Sequence, residues 1–252
     1  MTELPETIDA FLMGLVQLSQ PARGYRAGID PVLLAAATPG EAGHSVLELG
    51  CGAGAASLCL NARVAGMDFV GVELQPYYAD LARRNAATNG VAMEVVEADI
   101  RQMPLKVRDR RFDHVIANPP YYLKEKSTAP RDSGRDVAVS GETPLDTWVD
   151  VASRRLAPRG VFTMIQKADR LLDILSALEG RLGSVRVRPI QARSGRSARL
   201  VIVQARKLGR ADFVLEAPLR MHDGPHHERD GDSYSDKALS ILRHSAALEW
   251  GD

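Results

Sequence analysis

The stretch Ser45-Val46-Leu47-Glu48-Leu49-Gly50-Cys51-Gly52-Ala53-Gly54 decides how this chain is read. Its first five residues form a strand-length apolar run broken by one carboxylate. The alanine-rich segment from Gly54 to Ala65 then has the composition of a helix. Glycines at alternate positions between a strand and a helix let the chain turn sharply and bring bare backbone against a ligand. Outward from this loop, residues 69–73, 93–97 and 112–117 read as further strands, with helical patterns between them, and 160–165 as a fifth. That alternation predicts a parallel sheet covered by helices on both faces. Residues 185–190 and 199–204 read as a closing antiparallel pair, 213–215 as a further strand and 235–248 as a last helix. A polar, aperiodic loop is expected over 122–143, followed by a helix with Thr143 as its cap and Pro144 at its first position.

Composition narrows the function classes. The 252 residues carry 32 Lys and Arg against 32 Asp and Glu, a net charge of zero, which excludes a polycation whose partner is read from charge alone. Cys51 and Cys59 are too few for a disulfide framework and match no zinc spacing, as expected of reduced thiols in a cytoplasmic protein. No apolar run approaches the roughly 18 residues that span a bilayer. Glu3, Glu6 and Asp9 stand where a signal peptide needs positive charge. His222, His226 and His227 are separated by a Pro-Gly turn and have no cysteine beside them, so no metal is expected. The whole chain, 1–252, reads as one domain: a helical lead-in over 1–44, a catalytic core over 45–210 and a C-terminal extension over 211–252.

Three acids accompany the loop Gly50, Gly52 and Gly54. Glu73 closes the second strand, where a carboxylate can accept from both hydroxyls of a ribose. Gly50-x-Gly52-x-x-Ala55 also satisfies the relaxed dinucleotide spacing, so an NAD-binding oxidoreductase, or a binding protein on the same fold, competes. Glu48 precedes the first glycine, where it suits an ammonium better than a pyrophosphate, and Asp99 follows the third strand, where it can accept from an adenine amino group. Ammonium, ribose and adenine in sequence describe S-adenosylmethionine. These residues resemble the first three motifs of the Rossmann-like class I methyltransferases, which implies a seven-stranded, mostly parallel sheet ending in an antiparallel hairpin.

Asn118-Pro119-Pro120-Tyr121 follows the fourth strand directly. The prolines hold the backbone extended and remove N–H donors. The Asn118 amide oxygen and the Pro119 carbonyl can then accept both hydrogens of one planar amino group, while Tyr121 offers a face for stacking. The tetrapeptide resembles motif IV of amino-methyltransferases acting on adenine N6 or glutamine N5. Together with Gly24-Tyr25-Arg26-Ala27-Gly28-Ile29-Asp30-Pro31-Val32-Leu33-Leu34-Ala35, it makes residues 20–205 similar to the bacterial tRNA(Val) adenine-N6 methyltransferases. That resemblance implies RNA, specifically tRNA, as partner. The release-factor glutamine methyltransferases share the tetrapeptide but carry a helical N-terminal domain for which 44 residues are too few. One departure lies in the loop, where the tRNA enzymes carry an Ala-Arg-His-Glu-like stretch and this chain reads Ala138-Val139-Ser140-Gly141-Glu142.

Charge adds a separate expectation. Nine Lys and Arg and no acid lie between Arg181 and Arg210, while 212–252 has a net charge of −5. Arg193, Arg196 and Arg199 in the final hairpin, with Pro120 and Tyr122 beside the tetrapeptide, are the expected substrate contacts. The arginines from 181 to 210 are expected on the same side of the fold as Tyr121.

Overall fold

A computed structural model describes residues 5–121, 143–224 and 233–251. Its elements run as β1 (Glu6–Phe11), β2 (Val16–Pro21), α1 (Asp30–Ala37), β3 (Ser45–Leu49), α2 (Ala55–Arg63), β4 (Asp68–Glu73), α3 (Pro76–Thr88), β5 (Met93–Glu97), α4 (Leu105–Arg108) and β6 (Phe112–Ala117). They continue as α5 (Leu145–Arg155), β7 (Leu156–Lys167), α6 (Leu171–Leu178), β8 (Gly183–Gln191), β9 (Leu200–Arg206), β10 (Val214–Leu215), β11 (Leu219–Arg220) and α7 (Asp236–His244). The main sheet has the order β10-β8-β9-β7-β6-β3-β4-β5, with β11 also beside β8. The expected seven strands and their antiparallel final pair, β8 with β9, are present. Two short strands, β10 and β11, extend the edge alongside β8.

Strand alternation builds both cores from one run of residues. Along β3, Val46 faces α1 and α2, whereas Leu47 and Leu49 face the α5 side. Phe69 against Val70 and Ile116 against Val115 divide in the same way. Buried strands therefore read as continuous apolar runs, as parallel sheets covered on both faces require. Pro31 stands in the first turn of α1, and every residue from it to Ala37 is buried. A helix buried nearly all round leaves its last carbonyls without water. Four groups meet them: Arg63 Nη2 on Ala35 at 3.1 Å, the Leu248 N–H on Ala36 at 2.8 Å, and Gln204 Nε2 and Trp250 Nε1 on Ala37 at 3.3 and 2.9 Å.

The structure corrects the sequence reading at both ends. The lead-in over 1–44, expected to be helical, holds the antiparallel hairpin β1–β2 before its one helix. The apolar cluster at 11–16 spans a turn, with Gly14 at φ +90, and Val16, Leu18 and Gln20 alternate inward with the period of a strand. At the other end, residues 211–252 are not a simple extension. β10 and β11 join the sheet, and Leu248 and Trp250 bond the end of α1. Helix α5 starts one residue later than expected, with Pro144 rather than Thr143 at its cap. The loop expected over 122–143 falls, apart from Thr143, outside the described residues, and with it Tyr122 and the departure at 138–142; His226 and His227 also fall outside. Among the described residues, no helix is long and apolar enough to cross a membrane.

The hairpin is docked by two asparagines one turn apart, Asn85 on α3 and Asn89 at its C-cap. Asn85 accepts from the Ser19 N–H at 2.8 Å and donates to the Ser19 and Ala53 carbonyls, both at 3.0 Å. Asn89 does the same for Gln17, at 2.9 and 2.7 Å. The amides stand in for a neighbouring strand, and Asn85 ties the hairpin to the glycine loop. Asn85→Ala should cost about 2 kcal/mol, because three buried backbone groups lose their partner; urea unfolding with an unchanged m-value checks this.

Candidate active site

Register brings the sequence motifs together. β3 lies between β4 and β6, where the strand order reverses, and Leu49 pairs with Val72 on one side and Ala117 on the other. Gly50, Glu73 and Asn118 are thus the first or last residues at three adjacent carboxyl ends, with neighbouring strands about 4.8 Å apart. Such switch points are where open α/β sheets bind ligands. Glu73 pairs with Glu97 on β5, which carries Asp99 to the same edge.

The glycine loop is built without Cβ atoms for reasons that differ by position. Gly50, Gly52 and Gly54 have φ of +63, +53 and +86. A Cβ on Gly50 would also stand 2.6 Å from the ring of Trp148 on α5. The Gly52 N–H donates to Glu73 Oε2 at 2.9 Å, and the Gln75 N–H donates to Oε1 at 2.9 Å. Each carboxylate oxygen retains a further acceptor direction. Burial raises the Glu73 pKa and the backbone donors of Gln75, Gly52 and Leu74 oppose it.

Glu48 follows strand parity. It shares the face of Val46, so it meets α2, where Oε2 accepts from the Ser57 N–H at 3.1 Å and from Ser57 Oγ at 2.5 Å. It is 4% exposed, and burial pushes its carboxyl up to about 7 against the pull of Ser57. Asp99 is held by Arg101, whose Nη2 lies 2.5 Å from Oδ2, and this partner lowers its pKa.

Around the tetrapeptide, three residues missed in the sequence take part. Tyr121 donates its hydroxyl to Asp30 Oδ2 at 2.7 Å, so the first residue of α1 fixes the ring. The Pro119 carbonyl accepts from Gln166 Nε2, a buried side chain at the end of β7, at 3.2 Å. Tyr25, whose carbonyl accepts from Tyr78 at 3.0 Å, places its hydroxyl 3.5 Å from Asn118 Nδ2 and its ring 3.8 Å from a Cβ built on Gly52. Tyr25 thereby spans the glycine loop and the tetrapeptide. Its phenol is pushed up to about 12, by burial first and then by Asp30, Glu48, Tyr78 and Glu73. Only the quoted segment 24–35 contained a signal for Tyr25 and Asp30; nothing marked Gln166.

The basic stretch does not lie on one face. Arg193, Arg196 and Arg199 belong to the β8–β9 hairpin, where the Arg199 carbonyl accepts from Ala168 just beyond β7, at the edge that holds Asn118. Arg196 and Arg199 are exposed, whereas Arg193 bonds the Asp223 carbonyl and Ser233 Oγ. Arg186 and Arg188 pair with Glu216 at 2.5 and 3.1 Å and lie over Trp250. Arg206 and Lys207 stand at the opposite end of the sheet, since Arg206 pairs with Val161 and Gly183, and Arg181 pairs with Asp146. The expectation of one basic face beside Tyr121 is therefore corrected. An antiparallel hairpin puts its turn at one edge and both ends of the charge run at the other, and Glu216, remote in sequence, neutralises Arg186 and Arg188 between them.

Comparison with known proteins agrees with this geometry. Residues 46–130 match the methyltransferase domain family. A tRNA1(Val) (adenine(37)-N6)-methyltransferase from Porphyromonas gingivalis is 34% identical over 193 residues, covering 73% of this chain and 75% of its own length. One of the same name from Yersinia enterocolitica is 28% identical, covering 79% and 80%. Among solved structures, a predicted O-methyltransferase, protein Atu636 of Agrobacterium tumefaciens, superposes with a TM-score of 0.70 at 26% identity, covering 87% of this chain and 98% of that one. A T. thermophilus 16S rRNA N2 G1207 methyltransferase, solved with AdoMet and guanosine, gives 0.58 at 21% identity, covering 81% and 50%. The fold, the cofactor loop and these relatives converge: the chain is an S-adenosylmethionine-dependent class I methyltransferase and belongs to the tRNA1(Val) (adenine(37)-N6)-methyltransferase family.

Proposed function

We propose that this protein transfers a methyl group to N6 of an unpaired adenine in tRNA, in the cytoplasm. The observation that carries the reading is the Asn118-Pro119-Pro120-Tyr121 turn, held beside the glycine loop by the pairing of Leu49 with Ala117. Two carbonyl acceptors suit an amino group with two hydrogens better than a hydroxyl with one.

The site's residues fit the cofactor. The bare backbone of Gly50, Gly52 and Gly54 admits its amino-acid end, with Glu48 beneath for the ammonium, Glu73 for the ribose hydroxyls and Asp99 for the adenine. The bound cofactor supplies an electrophilic methyl group on sulfonium sulfur. Asn118 Oδ1 and the Pro119 carbonyl each accept one N–H of the target, which directs the nitrogen lone pair away from both. Gln166 holds the Pro119 carbonyl from behind and leaves its second lone pair free. Tyr121, fixed by Asp30, stacks on the base, worth about 1–3 kcal/mol. A base in an unpaired loop reaches this pocket at lower cost than one in a duplex. The target nitrogen would turn cationic on accepting the methyl group and could then release its proton to solvent, so these residues need supply no general base. Arg196 and Arg199 supply charge for the backbone at this edge, with Arg193 bracing the hairpin, and Pro120 borders the acceptor.

Asn118→Ala should lower kcat on tRNA by roughly 100-fold or more while S-adenosylhomocysteine binds almost as before. Retained turnover would refute the clamp. With the wild type, mass spectrometry of methylated bulk tRNA should find N6-methyladenosine. Labelled methyl in release-factor glutamine instead of tRNA would select the protein-directed reading.

The buried Glu48 gives a pH dependence with a definite sign. Its carboxyl, at about 7 in the free protein, must ionise to hold an ammonium. S-adenosylhomocysteine should therefore bind about tenfold more weakly at pH 6 than at pH 8, with a plateau above 7. Calorimetry checks this; an equal slope in Glu48→Gln would remove Glu48 from that role. The same raised pKa means that Glu48 disfavours folding as pH rises from its unfolded value towards 7. Glu48→Gln should accordingly melt higher than the wild type at pH 8.

A further inference from the structure

At the amino ends of β6 and β7, opposite Asn118, a cleft of about 480 Å3 opens between Arg111, Arg154, Arg155, Leu156, Lys207 and Leu208. No acid lines it. The six residues of β6 separate it from the acceptor turn by about 20 Å. Two of the cations have ordinary explanations. Arg154 pairs with Asp150 one turn back in α5, and Lys207 Nζ donates to the Ser153 carbonyl at 2.8 Å. Basic side chains also complement the carboxyl end of a helix.

Arg155, the last residue of α5, shares the helix end but differs from those two in its hydrogen bonding. It is 8% exposed, its Nη1 is sealed from solvent, and among the described residues no acceptor meets that atom. A buried guanidinium N–H without an acceptor is costly. Burial, then the like charges of Arg111 and Arg154, depress its pKa, and Asp109 opposes this only in part. A carboxylate needs one guanidinium fork, whereas cations approaching from α5, from the start of β6 and from the end of β9 suit an anion with several oxygens.

We propose that this cleft is a phosphate-binding site, in which the guanidiniums of Arg155 and Arg111 and the Lys207 ammonium together neutralise the phosphate oxygens. Free phosphate and a phosphodiester of RNA share this chemistry. Inorganic phosphate should raise the Tm of the wild type by about 3 °C when present at roughly ten times its Kd, against sodium chloride of equal ionic strength. Arg155→Gln should abolish the rise, and Arg111→Ala, an exposed change, should reduce it. No phosphate-specific rise in the wild type, or an equal rise in both variants, would overturn the proposal. Filter binding of tRNA distinguishes the sources: weakened binding in both variants assigns the site to RNA backbone, and unchanged binding assigns it to free phosphate. Neither readout involves methyl transfer, so failure here is separate from failure of the proposed reaction.

Discussion

The turn from β3 into α2 admits only residues without a Cβ at its tight points, and the functional edge is arranged around it. Gly50 lets Trp148 pack against the loop from α5, and Gly52 offers its N–H to Glu73 at the end of β4. The loop is therefore gripped from both sides of the sheet while its open face stays bare. A side chain at Gly50 would displace the indole that lines the second core, so the ligand loop and that core are parts of one constraint.

Helix α1 plays the corresponding part on the other face. Its first residue, Asp30, orients Tyr121, and its last carbonyls are met by α2, β9 and the C-terminal residues. A helix sealed on all sides must have these carbonyls answered from within the protein. That requirement explains why residues near 250 return to the middle of the fold. It also links Tyr121 to this deeply packed helix.

Much of the core was legible because parallel strands buried on two faces leave long apolar runs with turn residues between them. Glu48, Gly50, Gly52, Gly54, Glu73, Asp99 and Asn118–Tyr121 fall at strand ends that the pattern itself locates, and the register of the sheet brings those ends to one edge. The hairpin β1–β2 was not legible, because it is held in part by Asn85 and Asn89, which bond its backbone from 66 to 72 residues away. Nor could a charge tally be converted to a surface. Arg188 and Glu216 lie 28 residues apart in sequence and 3.1 Å apart in space.

By itself, the sequence determined the α/β class, the strand-ending motifs and the residue types able to hold an amino group and a methyl donor. These depend on local periodicity, on turn chemistry and on a few side chains at fixed spacings. Only the tertiary structure decided which partners those residues keep: Ser57 for Glu48, Asp30 for Tyr121 and Gln166 for the Pro119 carbonyl. It also decided that the arginines divide between two edges and that Arg155 Nη1 lies buried with no acceptor among the described residues. Parity, register and helix packing set these outcomes, and each depends on elements distant in the chain.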